Sequence, residues 1–170
     1  MMSMSKHQSQ RMKKDEWLTP PYIISSLGPF DLDPCSPENR PWPTANNHYT
    51  KADNGLAKSW AGRVWLNPPY GIGIDQWMRR MKYHGNGIAL TFARTETRWF
   101  IDHVWTNFGT HSVFFFYGRL NFHHISGEKA KANAGAPSVL ISYSEDDTEA
   151  IAKSGLRGKL VQALQIEHVS

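Results

Sequence analysis

Short apolar runs that stop at turn-forming residues constrain this chain more than any other feature. Arg63-Val64-Trp65-Leu66 ends at Asn67-Pro68-Pro69-Tyr70, and further runs occupy residues 87–92, 112–117 and 139–143. Each is too short for a typical helix and too apolar for a half-exposed strand, so each reads as a strand buried in a sheet. Segments with helical spacing lie between them. Ile74, Trp77, Met78 and Met81 share one face of a helix over 74–83 that closes at Gly85. Residues 95–108 set Trp99, Phe100, His103 and Val104 on another, with Thr97 as a candidate cap. Strands alternating with helices, then two strands joined by a long polar loop at 121–136, predict an α/β domain. Its sheet is expected to be mostly parallel, with the last two strands as an antiparallel closing hairpin.

The flanking segments add detail. Pro20-Pro21 opens a helix whose apolar face (Ile23, Ile24, Leu27) ends at Gly28-Pro29, and Phe30-Asp31-Leu32-Asp33 alternates as a short strand stopped by Pro34. Residues 36–54 hold too many turn formers for a regular element and read as a loop. The polar, Gly- and Ala-rich stretch 121–136 reads as a flexible loop, and the tryptophans at 17, 60, 65, 77, 99 and 105 as mostly core. Leu156, Leu160 and Leu164, four apart, predict a C-terminal helix at about 156–167. Residues 1–14 carry Lys6, Arg11, Lys13 and Lys14 with no acid, which is read as a disordered basic arm before a single domain over 15–170. A chain of 170 residues can bury one real core.

Composition narrows the classes. With 40% hydrophobic and 20% charged residues the chain is neither disordered nor fibrous, and no apolar run is long enough to span a bilayer. No secretory signal is expected in residues 1–14, and Cys35, the single cysteine, fits a reducing compartment and forbids an internal disulfide. The adjacent His123 and His124 point to opposite faces of an extended segment, so no metal is expected. Nineteen Lys and Arg against 15 Asp and Glu give a formal charge of +4, which leans towards a polyanionic partner.

In open α/β sheets, ligands sit beyond the carboxyl ends of strands at a switch point, and two segments are punctuated at such places: Asp33-Pro34-Cys35 and Asn67-Pro68-Pro69-Tyr70. Two prolines stiffen the second, and the carbonyls of the Asn67 side chain and of Pro68 can aim at one amino group. Tyr70 offers a flat face to a planar ring. Adenine, cytosine and a carboxamide all present a planar amine. A rigid turn with a packed tyrosine would use the same residues.

The chain resembles the small phage-type, Dam-like DNA N6-adenine methyltransferases. The likeness is carried by Asp15-Glu16-Trp17-Leu18-Thr19-Pro20-Pro21, Phe30-Asp31-Leu32-Asp33-Pro34-Cys35, Asp53-Asn54-Gly55-Leu56 with Trp60, and Arg63 through Tyr70. It continues in Thr97-Arg98-Trp99-Phe100, Gly118-Arg119-Leu120 and Ala136-Pro137-Ser138. This implies a reduced, Rossmann-like class I methyltransferase domain that moves a methyl group from S-adenosylmethionine to the amine of an adenine flipped out of double-stranded DNA. No metal or covalent intermediate would be needed, and the setting would be the cytoplasm of a bacterial host. Asn67, Pro68, Pro69 and Tyr70 would be catalytic. Trp17, Thr19, Pro20, Asp33, Pro34, Cys35, Asp53 and Asn67 would meet the cofactor, with Asp53 as the candidate for its ribose. Arg94, Arg98 and Arg119 would contact DNA, and loop 121–136 would read its sequence. The glycine-rich turn usual after the first strand is replaced by Ser36-Pro37-Glu38-Asn39. Four rival readings stand beside this one. Pro34-Cys35 is the dipeptide of a covalent cytosine methyltransferase. The planar amine could belong to RNA or to a protein glutamine. The chain could also be an inactive nucleic-acid-binding module. Asp31, Asp33 and Asp53 could simply cap turns, and Arg119 could hold a loop.

Overall fold

The apolar runs become the central strands of one sheet. The structure, a computed structural model, describes residues 17–105, 109–131 and 134–162. The basic arm and the last part of the expected C-terminal helix lie outside these residues. Among the described residues the strands are β1 (Leu32–Asp33), β2 (Asn47–His48), β3 (Val64–Leu66), β4 (Gly87–Phe92), β5 (Ser112–Phe116), β6 (Ser138–Ser142) and β7 (Gly158–Gln162). The helices are α1 (Pro21–Leu27), α2 (Ile74–His84), α3 (Arg98–His103) and α4 (Glu145–Lys153). The strand order is β2-β1-β3-β4-β6-β5-β7.

Pairing is parallel from β2 through β1 and β3 to β4. β6 is antiparallel to both β4 and β5, so β5 points the same way as β4; β7 is antiparallel to β5. The closing hairpin of β5 and β6 forms, but its reversed strand lies inside the sheet rather than finishing it. Every residue of β6 is buried. An edge could not hide such a strand, and the edge goes to β7, whose Lys159, Val161 and Gln162 are exposed.

Alternation along the strands builds two cores. Trp65, Ile88, Leu90, Phe114 and Leu140 face α1, α4 and the 120–136 loop; Val64, Leu66, Ala89, Val113, Val139 and Ile141 face α2 and α3. Helices on both faces of a sheet make a three-layer mixed α/β domain.

Four expectations need correction. The tail is not helical at 158–162: it is β7, paired Phe115↔Lys159, Phe114↔Leu160 and Val113↔Val161. A spacing of four is an even number, so Leu156 and Leu160 share a face of an extended chain as well as of a helix, and both pack on the same core. The helix lies one element earlier, in α4, where the Ser144 hydroxyl accepts from the Asp147 N–H at 3.1 Å and three acids fill the first turn. Loop 121–136 is not loose throughout: Phe122, Ala134 and Ala136 are buried, and His123 pairs with Leu18. The described residues of the expected helix over 95–108 form only α3; Thr97 holds its N-cap position, but the hydroxyl donates to the Arg94 carbonyl (2.6 Å) instead of accepting from the helix. Of the tryptophans expected in the core only Trp65 is fully buried; Trp17, Trp60, Trp77, Trp99 and Trp105 are half-buried.

One buried ion pair fastens the end of the sheet away from the site. Asp147, fully buried, accepts from Arg63 Nε (2.7 Å) and from the Gly87 N–H (2.7 Å). Arg63 Nη1 donates to the carbonyls of Leu27 (2.6 Å) and Pro29 (3.0 Å). The pair therefore links α1, β3, β4 and α4. No helix among the described residues is long and apolar enough to cross a membrane.

Candidate active site

The chain runs from β1 outward to β2, but from β3 the other way to β4, so the carboxyl ends of β1 and β3 flank the switch point of the sheet. Asp33-Pro34-Cys35 leaves one strand there and Asn67-Pro68-Pro69-Tyr70 the other. Between them lies a cavity of about 320 Å³, within the size range of small-molecule sites. Trp17, Thr19, Asp33, Pro34, Cys35 and Asn67 line it, as does Pro69. Pro20 does not: it is buried at the cap position of α1.

Asn67 is oriented from three directions. Its Nδ2 donates to the Trp17 carbonyl (3.1 Å) and the Thr19 hydroxyl (3.3 Å), so the amide nitrogen must face residues 17–19. Its Oδ1 accepts from the Tyr70 hydroxyl at 3.0 Å, which leaves a second lone pair for another donor. Among the described residues none donates to the Pro68 carbonyl. Tyr70 stacks on Phe92 with ring centres 4.1 Å apart and planes 14° from parallel. Burial pushes its phenol far above the ordinary value, so it stays a donor.

Cys35 ties the two segments together, its thiol donating to the Asn67 backbone carbonyl at 3.2 Å. Burial, with the Asp33 carboxyl nearby, pushes the thiol well above its usual range. A covalent cytosine mechanism requires a thiolate, and this environment holds the neutral thiol. Asp33 accepts from the Cys35 N–H at 3.1 Å and from the Thr44 hydroxyl, which is the turn-capping role, and it lines the cavity as well. Its burial raises the carboxyl from 3.8 to about 6 against those hydrogen bonds and the charge of Arg40. Next to Thr44, His48 Nε2 accepts from the N–H groups of Thr44 (3.2 Å) and Ala45 (3.3 Å). Burial first, then Arg40, hold that imidazole below its ordinary value.

The other site candidates are placed apart. The Asp53 carboxylate accepts from the Thr50 N–H (2.8 Å) and hydroxyl (3.0 Å), closing a capping box, and its neighbours Thr50, Lys51 and Asn54 line the cavity instead. Asp31 accepts from the Arg63 N–H at 2.7 Å, also a structural task. Arg94 is exposed and its guanidinium has no partner among the described residues. Arg98 is 90% exposed and paired with Asp102 at 2.8 Å. Arg119 Nη1 donates to the Ala134 carbonyl at 3.2 Å, which holds the 120–136 loop. No group of three His, Cys, Asp or Glu side chains among the described residues could hold a metal ion.

Sequence reasoning passed over Trp65 and Trp77, both of which line the cavity. Core packing explained each: Trp65 is 0% exposed, and Trp77 fits the helical spacing of α2. The indole N–H groups of Trp17 and Trp65 are buried without a partner among the described residues. In a wall, such donors are the signal of a polar ligand.

The fold and the site define the class of protein: a mixed α/β domain with an aromatic-lined cavity at the switch point of its sheet, the place where small-molecule sites of such sheets lie. The chain matches the model of the DNA N-6-adenine-methyltransferase (Dam) family over residues 6–154 and belongs to that family. No curated protein and no solved structure matches it. Membership makes the protein a DNA adenine methyltransferase in general terms, with DNA as its substrate.

Proposed function

We propose that the protein is a site-specific, S-adenosylmethionine-dependent enzyme that methylates the exocyclic amine of an adenine turned out of double-stranded DNA. One observation carries the reading: the Asn67 amide is fixed at the switch point with an acceptor lone pair to spare, next to a Pro68 carbonyl to which no described residue donates. Two acceptors suit the two protons of one amine. Held this way, the amine's lone pair is directed away from both oxygens, which is the orientation an in-line transfer needs. Adenine's amine is unreachable inside a duplex, so the base must leave the stack, and the face of Tyr70 not covered by Phe92 is the platform for it.

The cavity suits the cofactor. The indoles of Trp17, Trp65 and Trp77 offer apolar walls and two donors without a partner among the described residues, while Asp33 and Lys51 could meet the ammonium and carboxylate of its methionine end. Thr44, Thr50 and Asn54 add hydroxyl and amide groups for its sugar, a role that Asp53 is poorly placed to take. Bound there, the cofactor supplies a methyl group on a sulfonium, already a good leaving group. The residues then have only to position and to exclude water. Among the described residues, five strands pointing one way, one reversed inside the sheet, and a cavity at the switch point support a reduced, Rossmann-like class I methyltransferase domain. Arg94 is the best placed of the three arginines for phosphate. The free thiol suits the cytoplasm of a bacterial host, and a phage-type source fits the resemblance.

The test is substrate choice. Labelled S-adenosylmethionine is mixed with the protein and unmethylated DNA, RNA or a glutamine-bearing protein extract, and cofactor binding is followed by tryptophan emission. Quenching, with label in DNA alone, is expected. Label in RNA or protein would support the rival amine substrates, and binding of DNA without transfer would support an inactive module.

A further inference from the structure

Residues 71–73 leave the sheet directly after Tyr70 and rejoin the body at Ile74, the buried first residue of α2. Gly71 and Gly73 have φ of 124° and 104°, which L side chains rarely adopt, and a Cβ at either would meet no atom within 4 Å. The two glycines thus carry the chain off the surface, and Ile72 stands at the tip, 109% exposed. Single exposed apolar residues are ordinary. This one is set apart by its position, two residues from the tyrosine that holds Asn67. The Tyr70–Phe92 stack also fixes where β4 ends, and Arg94, exposed and without a side-chain partner among the described residues, follows two residues past Phe92. An apolar tip and an exposed cation therefore leave from one aromatic pair. Duplex DNA matches both, with phosphates outside and an apolar interior between stacked bases.

We infer that Ile72 is a wedge: its side chain enters the base stack beside the target adenine and fills the gap that the turned-out base leaves, while Arg94 holds a neighbouring phosphate. The inference rests on the proposed function, since it presupposes base extrusion. Apolar side chains inserted between base steps offset part of the unstacking cost. That cost is smallest for a base that is already unpaired.

The comparison of two substrates tests it. The methylated adenine is first mapped by sequencing DNA treated with the wild-type protein. Short duplexes are then made with that adenine opposite thymine or opposite an abasic site. Ile72→Ser touches no packed group, so folding and cofactor binding should match wild type. On the paired duplex its kcat/KM should fall on the order of tenfold or more. On the abasic duplex it should stay within roughly threefold of wild type. With 2-aminopurine at the target, wild type should raise emission from the paired duplex and Ile72→Ser should not. Equal loss on both duplexes, or none on the paired one, would overturn the wedge. A wild-type protein that methylates no DNA would instead overturn the proposed function, and the wedge with it.

Discussion

The Asp33 carboxyl sits in the cavity wall with both oxygens accepting hydrogen bonds, yet its burial outweighs them and raises it to about 6. A carboxyl that binds its proton more tightly when folded lends stability that is complete below about 4 and lost as pH rises through about 6. Asp33→Asn carries no charge to bury; its amide oxygen can accept from the Cys35 N–H, and its amide nitrogen can donate to the Thr44 hydroxyl oxygen where the carboxylate accepted. Denaturant melts at pH 4 and pH 7 should therefore show the variant gaining on wild type by on the order of 2–3 kcal/mol between the two. A constant difference would mean the group is not buried as an ionisable acid. At this scale the sequence was a fair guide to which residues meet: the cavity gathers Asp33, Pro34, Cys35 and Asn67, set apart by the turn formers at two strand ends, with Trp17 and Thr19, which the family resemblance implied. It was a poor guide to Asp53, because a carboxylate that caps a turn and one that faces a ligand look alike in sequence. Trp65 and Trp77 were hidden for the opposite reason, since apolar periodicity already accounted for them.

Elements were legible where periodicity admitted one period. α2 has its Ile74, Met78 and Met81 face and a Gly85 with φ of 71° at its end, as the sequence implies. β3 and β4 are buried throughout and stop where expected. The tail failed because a four-residue spacing suits helix and strand alike, and β2 failed because two residues carry no pattern. The clue to α4 was present in Ser144 and Asp147, but Asp147 does more than start a helix. Asp147→Ala would leave the Arg63 guanidinium without its counter-ion and the Gly87 N–H without an acceptor. Breaking such a buried pair costs about 3–5 kcal/mol, to be read as a fall in the urea midpoint. Asp147→Asn keeps an acceptor for one donor and should lose less. If both variants melt like wild type, the pair does not fasten these elements.

For the whole molecule, topology brings the two proline-punctuated segments together, and sequence could only place each of them at a strand end. Their meeting depends on β1 and β3 being neighbours, a long-range fact that no local pattern encodes. The same meeting puts Cys35 and Asn67 in contact, so two chemistries that the sequence left in competition converge on one cavity. The most direct measurement digests DNA treated with S-adenosylmethionine and wild type, Asn67→Ala or Cys35→Ser, and identifies the methylated nucleoside by mass spectrometry. N6-methyladenine is expected from wild type and from Cys35→Ser. From Asn67→Ala the single-turnover rate should be lower by about 100-fold or more, roughly 2.7 kcal/mol of transition-state stabilisation. Methylcytosine that disappears with Cys35→Ser, or N6-methyladenine formed at an unchanged rate by Asn67→Ala, would contradict the proposed function.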